Sequence, residues 1–161
     1  MTEWNVTTYT FEDFTPGRRF EFTARTLTAE EIIAFAQEFD PQPMHIDEAA
    51  GRASILGGLA ASGWHTSAVM MRMLYDAYIR HSASEGSPGV DRMEWKRPVL
   101  AGDTLCGHSE VLDARVSRSR PQIGIVRMRA EVTNQCGEIV AICDYINMMR
   151  LAEKGADHAH G

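Results

Sequence analysis

The sequence predicts an α+β domain in which an antiparallel sheet wraps around one long helix. Three observations carry that prediction. Apolar residues from Trp64 to Tyr78 recur at helical spacing over a stretch too long for an ordinary strand. Beyond Gly89 only strand-like stretches remain, separated by turn residues. The 161 residues hold no repeat, low-complexity block or interdomain linker, so one core has to bury both kinds of element.

The elements follow in chain order. Residues 1–10 read as a loosely tethered lead-in, and Thr15-Pro16-Gly17 as a turn. Phe20, Phe22 and Ala24 alternate with more polar residues up to Leu27, which predicts a strand. Thr28-Ala29-Glu30-Glu31 is a capping box that opens a helix with Ile32, Phe35, Ala36 and Phe39 on one face. The helix stops before Pro41. The stretch Asp40-Pro41-Gln42-Pro43-Met44-His45-Ile46-Asp47 then reads as stiff and non-helical, because each proline lacks an N–H and biases the residue before it away from the α region. Asp47 caps a short helix to about Ala53. Gly57-Gly58 opens a loop that ends at Ser62-Gly63. The long helix runs from there to about Arg80, with Trp64, Ala68, Met71, Leu74 or Tyr75, and Tyr78 as its core stripe. Met70, Met71 and Met73 read as core or tunnel lining.

Ser82 to Gly89 is a loop. Four strands follow: Val90 to Trp95, Thr104 to Ala114, Ile123 to Thr133 and Glu138 to Leu151. Pro98 to Asp103 and Asn134 to Gly137 supply turns. In the third of these strands Val126, Met128, Ala130 and Val132 share one face. The last is apolar on both faces to about Ile146, as a central or interfacial strand would be. The packed core is thus expected over about 14–151, with the ends 1–10 and 152–161 flexible.

Composition narrows the function. With 44% hydrophobic and 24% charged residues the chain reads as a soluble globular protein. No apolar run reaches a membrane span, and the first residues lack a basic, apolar leader, so the expected location is the cytoplasm. A net charge of −6 argues against general nucleic-acid binding. Cys106, Cys136 and Cys143 form no CxxC pair and read as idle thiols.

The candidate chemistry starts with Asp40 and His45. They read either as an acid/base pair aimed into one space, or as a helix-terminating aspartate beside a surface histidine. Gln42 lies between them and reads as a support. Ser62 and Gly63 open the long helix, where free N–H groups and the positive dipole end suit an anionic oxygen; a capping serine with a packing glycine is the plainer reading. Ser62 is no nucleophile by motif, since Ala60 and Trp64 stand where G-x-S-x-G needs glycines. His65 reads as packed or structurally bonded. His45, Asp47 and His65 show no metal-ligand spacing, and no metal is expected. Arg115, Arg118 and Arg120 read either as a grip on phosphates or as a solvated basic turn. His158 and His160 read as solvated.

Three blocks together resemble the MaoC-like dehydratases, relatives of the (R)-specific enoyl-CoA hydratases. They are Asp40 to Asp47, Gly58 to Thr66, and Arg97-Pro98-Val99 with Gly102-Asp103-Thr104-Leu105; Ser119-Arg120-Pro121 and the Asn134-Gln135…Gly137 turn add to them. The resemblance spans about 14–149. It implies the hot-dog fold, a curved sheet around a central helix, and assembly as a homodimer or a homo-oligomer of dimers. It further implies an acyl-CoA thioester substrate, with CoA as part of the substrate and no separate cofactor. Asp40 and His45 become the catalytic pair and the Gly63 N–H the oxyanion donor, with Ser62 and Gln42 beside the substrate. The implied activity is reversible addition of water to a 2-enoyl-CoA. A hot-dog thioesterase and a non-catalytic acyl-CoA-binding subunit are the alternatives. Two positions depart from the pattern. Gln42 stands where the hydratases usually carry Asn, and Ala61-Ser62-Gly63 replaces Ala-His-Gly, which points to a smaller, branched or polar acyl group.

Overall fold

The computed structural model describes residues 9–153. The expected tail, with His158 and His160, lies outside the described residues apart from Ala152 and Glu153. Two strands open the fold, β1 (Arg19–Glu21) and β2 (Arg25–Thr26). Four helices follow: α1 (Ala29–Phe39), α2 (Pro43–Ile46), α3 (Glu48–Ala53) and α4 (Gly63–Ala77). Strands β3 (Val90–Trp95), β4 (Thr104–Val116), β5 (Ile123–Thr133) and β6 (Ile139–Arg150) complete it. These strands pair antiparallel throughout, in the order β1-β4-β5-β6-β3, with β2 also on β4. The curved sheet holds α4 at its centre, as expected.

The core lies between that helix and the inner sheet face. Val69, Met70, Met73 and Leu74 of α4 meet the cluster that includes Val126, Met128, Ala130 and Val132 of β5. Inside it, Tyr78, Tyr145, Ser109 and Asn147 bond to one another through hydroxyls and an amide, which satisfies polar groups that water cannot reach. The three cysteines are free; burial first, then the Asp144 charge, push the Cys143 thiol up to about 11.

Four local expectations need correction. The strand expected from Phe20 to Leu27 is split in two. Its break faces Gly107, where β4 takes a φ of 141° and lies so close to β5 that a Cβ would meet the Glu131 carbonyl. The bend lets β1 and β2 pair with different parts of one strand. Secondly, Pro43–Ile46 forms one helical turn inside the stretch read as non-helical. Pro43 occupies the first helical position, where the missing N–H costs nothing.

Thirdly, the buried face of α4 is His65, Thr66, Val69, Met70, Met73 and Leu74. Of the expected stripe Trp64 and Met71 are 64% and 50% exposed, while Tyr78 is buried, as is Leu74 of the alternatives Leu74 and Tyr75. An apolar count discards His65 and Thr66, so it locks onto the wrong side of a helix that is apolar on two sides. Lastly, Tyr9, placed in the lead-in, is held by the backbone, and residues 1–8 of that lead-in lie outside the described residues. The Tyr9 N–H donates to the His81 carbonyl (3.0 Å), and the Ala83 N–H donates to the Tyr9 carbonyl (2.8 Å). Among the described residues no helix is long and apolar enough to cross a membrane.

Candidate active site

The site begins where α1 ends. Thr28 and Glu31 bond each other's backbone as a capping box, and Asp40 closes α1 with its N–H on the Ala36 carbonyl (2.9 Å). The single turn of α2 then carries His45 inward, where it is buried. Asp47 accepts the Ala50 N–H (2.7 Å) and so acts as the cap of α3.

A second segment meets the first. The Ala61 N–H donates to the Val99 carbonyl (2.8 Å) and the Ala101 N–H to the Leu59 carbonyl (2.9 Å), which clamps 59–61 onto 99–101. Gly102 turns this clamp at a φ of 91° and donates to the Leu27 carbonyl (2.8 Å). Asp103 then accepts from Leu100 N–H (2.8 Å) and from the Gln135 amide (2.9 Å). The blocks near 97–105 and 134–137 are therefore the scaffold that fixes the chain ahead of α4.

That scaffold sets the histidine tautomer. His45 Nδ1 lies 2.7 Å from the Ala60 carbonyl oxygen, which can only accept, so Nδ1 carries the proton. In the neutral ring Nε2 is left as an acceptor. It lies 3.6 Å from Asp40 Oδ2. Asp40 is held from both sides: the Ser62 hydroxyl donates to Oδ2 (2.6 Å) and the Gln42 amide to Oδ1 (2.7 Å). The Ser62 bond above all, then that of Gln42, holds the Asp40 carboxyl below its ordinary range against the opposing effect of burial.

Ser62 is 1% exposed and spends its hydroxyl on Asp40, so it does not cap α4 through its side chain. Its hydroxyl thus supports Asp40. The Gln42 amide supports the other carboxylate oxygen, as its place between Asp40 and His45 suggested. The uncapped start of α4 leaves the Gly63 N–H without an intrahelical partner, and Gly63 lines a cavity of about 300 Å³. His45, Ala60, Ala61, Thr66, Trp95 and Val99 line it too. Proton acceptor and open amide end thus share one hollow, and the Asp40 carboxylate stands behind the histidine, 3.6 Å from Nε2.

Other candidates lie elsewhere. His65 stacks on Phe35 at 4.6 Å, and its Nδ1 is buried without a partner; burial lowers its tendency to take a proton. Among the described residues no three His, Cys, Asp or Glu side chains gather as metal ligands do. Arg115, Arg118 and Arg120 do not line the cavity. Trp95 pairs with Ala141, whereas Arg115 shares its row with Met148, about 23 Å further along the sheet. The cations that do line it are Lys96 and Arg97, which the sequence reading passed over. Lys96 pairs with Glu94 (2.5 Å) and Arg97 with Glu138 (3.2 Å). The Ala60 carbonyl and Trp95 were also missed. A backbone oxygen has no sequence signal, and Trp95 reads simply as a strand residue.

Comparison with known proteins agrees with this fold. Residues 11–135 match the family described as the MaoC like domain. A solved MaoC-like dehydratase from Rhodospirillum rubrum is 38% identical, with a TM-score of 0.84 over 91% of this chain and 99% of that one. A monoamine oxidase regulatory protein from Archaeoglobus fulgidus is 27% identical, with a TM-score of 0.81 over 92% and 97%. The uncharacterized protein YdeM of Bacillus subtilis is 29% identical over 77% of this chain and 86% of its own length.

Proposed function

The chain belongs to the MaoC-like domain family, and from that premise we propose that it adds water reversibly across the double bond of a 2-enoyl thioester, with an acyl-CoA as substrate. One observation carries the reading: the Asp40 carboxylate and His45 Nε2 face each other at 3.6 Å beside the open amide of Gly63.

The chemistry follows from what each group can do. Carbon 3 of an enoyl thioester is electrophilic only while the carbonyl oxygen can take up charge. The Gly63 N–H at the positive end of α4 is the donor for that oxygen; such a donor is commonly worth about 3–4 kcal/mol in the transition state. Asp40, kept anionic by Ser62 and Gln42, is an acceptor and a poor proton source at neutral pH. It orients a water between itself and His45. As the water oxygen bonds to carbon 3, Nε2 takes its proton, and the same proton then passes to carbon 2. One water adds, and the pair returns to its starting state. The reverse order is dehydration of a 3-hydroxyacyl thioester.

Lys96 and Arg97 at the cavity wall suit the phosphates of CoA. The exposed stripe of Trp64, Met71 and Tyr75 on α4 is the face we assign to homodimer formation.

The test is loss of conjugated enoyl absorbance when purified protein meets a series of 2-enoyl-CoA esters, run beside a thiol-reactive dye. Loss of absorbance without thiol release supports the reading. Thiol release from saturated acyl-CoA would replace it with a thioesterase, and saturable binding with neither signal with a carrier.

A further inference from the structure

A second cavity, of about 270 Å³, lies beside the first along the groove between α4 and β3. Met70, Leu74, Val90, Cys143 and Tyr145 are among its walls, and it is largely apolar. The two hollows are arranged in series. Gly63 and Thr66 of α4 line the catalytic one and Met70 and Leu74 the other, so the two are one turn apart, about 6 Å, on the same helix. On β3, which runs the opposite way, Trp95 lines the first and Val90 the second.

Trp95, a wall of the first cavity and not of the second, spans the groove at this level. The Trp95 indole N–H crosses from β3 to donate to the Ser67 hydroxyl oxygen on α4 (3.1 Å), and that hydroxyl donates to the Gly63 carbonyl (3.1 Å). The ring lies hard against Gly63, where an added Cβ would come within 2.6 Å of it. Trp64 braces it edge-on, with ring centres 5.2 Å apart. Ser67 falls between Thr66, which lines the first cavity, and Met70, which lines the second. The indole is thus bolted across the groove at the level where one hollow gives way to the next.

We propose that Trp95 is the specificity-determining partition of this site, which confines the acyl group to the catalytic cavity and bars longer chains from the Met-lined cavity beyond. The role rests on the thioester reading above. It gives Gly63 a second task, since only a residue without a Cβ lets the partition seat against the helix start. The substrate class is then a short-chain acyl thioester, with the apolar second cavity closed off from its tail.

The experiment measures calorimetric binding of saturated acyl-CoA esters, from four to twelve carbons, to wild type, Trp95→Ala and Trp95→Ala/Val90→Trp. Wild-type affinity should stop rising beyond about six carbons. In Trp95→Ala it should climb about threefold to fourfold per added methylene through ten carbons, the gain expected for burying each one. The double variant, which refills the second cavity, should lose that climb. Ser67→Ala, which unbolts the ring without removing it, should give a smaller climb and guards against misfolding of the alanine variant. The same length dependence in all four proteins, or binding of no ester by any, overturns the partition. Enoyl hydration is read separately: its absence in wild type would sink the hydratase reading, while the binding series still decides the role of Trp95.

Discussion

Replacing Ser62 by alanine isolates the hydrogen bond that most affects the Asp40 carboxylate. Ser62 is fully enclosed, so the smaller side chain fits without a clash and removes one donor, 2.6 Å from Asp40 Oδ2. A hydrogen bond to a charged acceptor is worth about 1.5–3 kcal/mol. With a urea slope of about 2 kcal/mol/M for a domain of this size, the unfolding midpoint should fall by about 1 M at neutral pH. The pH dependence has a definite sign. Asp40 has a folded-state pKa below its unfolded value, so its contribution is complete above the unfolded value and is lost as pH falls through the folded one. The stability gap between variant and wild type should therefore close on acidification. In the variant the depression is smaller, so less stability remains to be lost as pH falls. The assay is urea unfolding at several pH values. An unchanged midpoint at neutral pH, or a gap that does not vary with pH, would refute the claim that Ser62 holds the carboxylate.

Gly63→Ala should displace the Trp95 ring, destabilise the fold by about 1–3 kcal/mol through overpacking and cut turnover by misplacing the amide; a variant of wild-type midpoint and rate would show that the contact has slack. Met71→Glu places a charge on the exposed apolar stripe, so sedimentation or light scattering should report a shift from twice the 17.9 kDa chain mass towards one, and a dimer that withstands the charge would move the interface elsewhere. Thr28→Ala removes the cap of α1 and should cost about 1 kcal/mol of stability in a melting curve, with no change if the cap is idle.

Local chemistry was legible in the sequence. Thr28 and Glu31 lie three residues apart and cap α1 as expected, and Asp47 caps α3. Asp40 and His45 are five residues apart on one kinked stretch, and the fold brings their side chains to 3.6 Å of each other, with His45 lining the hollow. Features that depend on distant partners were not legible. Ser62 reaches Asp40 across 22 residues, so a serine at a helix start looked like a cap or an oxyanion group. The proton on His45 Nδ1 is fixed by a backbone carbonyl fifteen residues away, which no side-chain pattern reveals. The buried side of α4 was misjudged because the helix is apolar on two sides and only tertiary packing distinguishes them. Trp95 looked like any strand aromatic until the fold set its ring against Gly63.

The most direct trial compares the initial rates of wild type, Asp40→Asn and His45→Ala on a short 2-enoyl-CoA, with circular dichroism to verify that each is folded. A positioned proton acceptor is commonly worth about 10²–10⁴ in rate, so both variants should fall by at least the lower figure while keeping the wild-type spectrum. Either folded variant hydrating at close to the wild-type rate would contradict the assignment of this pair.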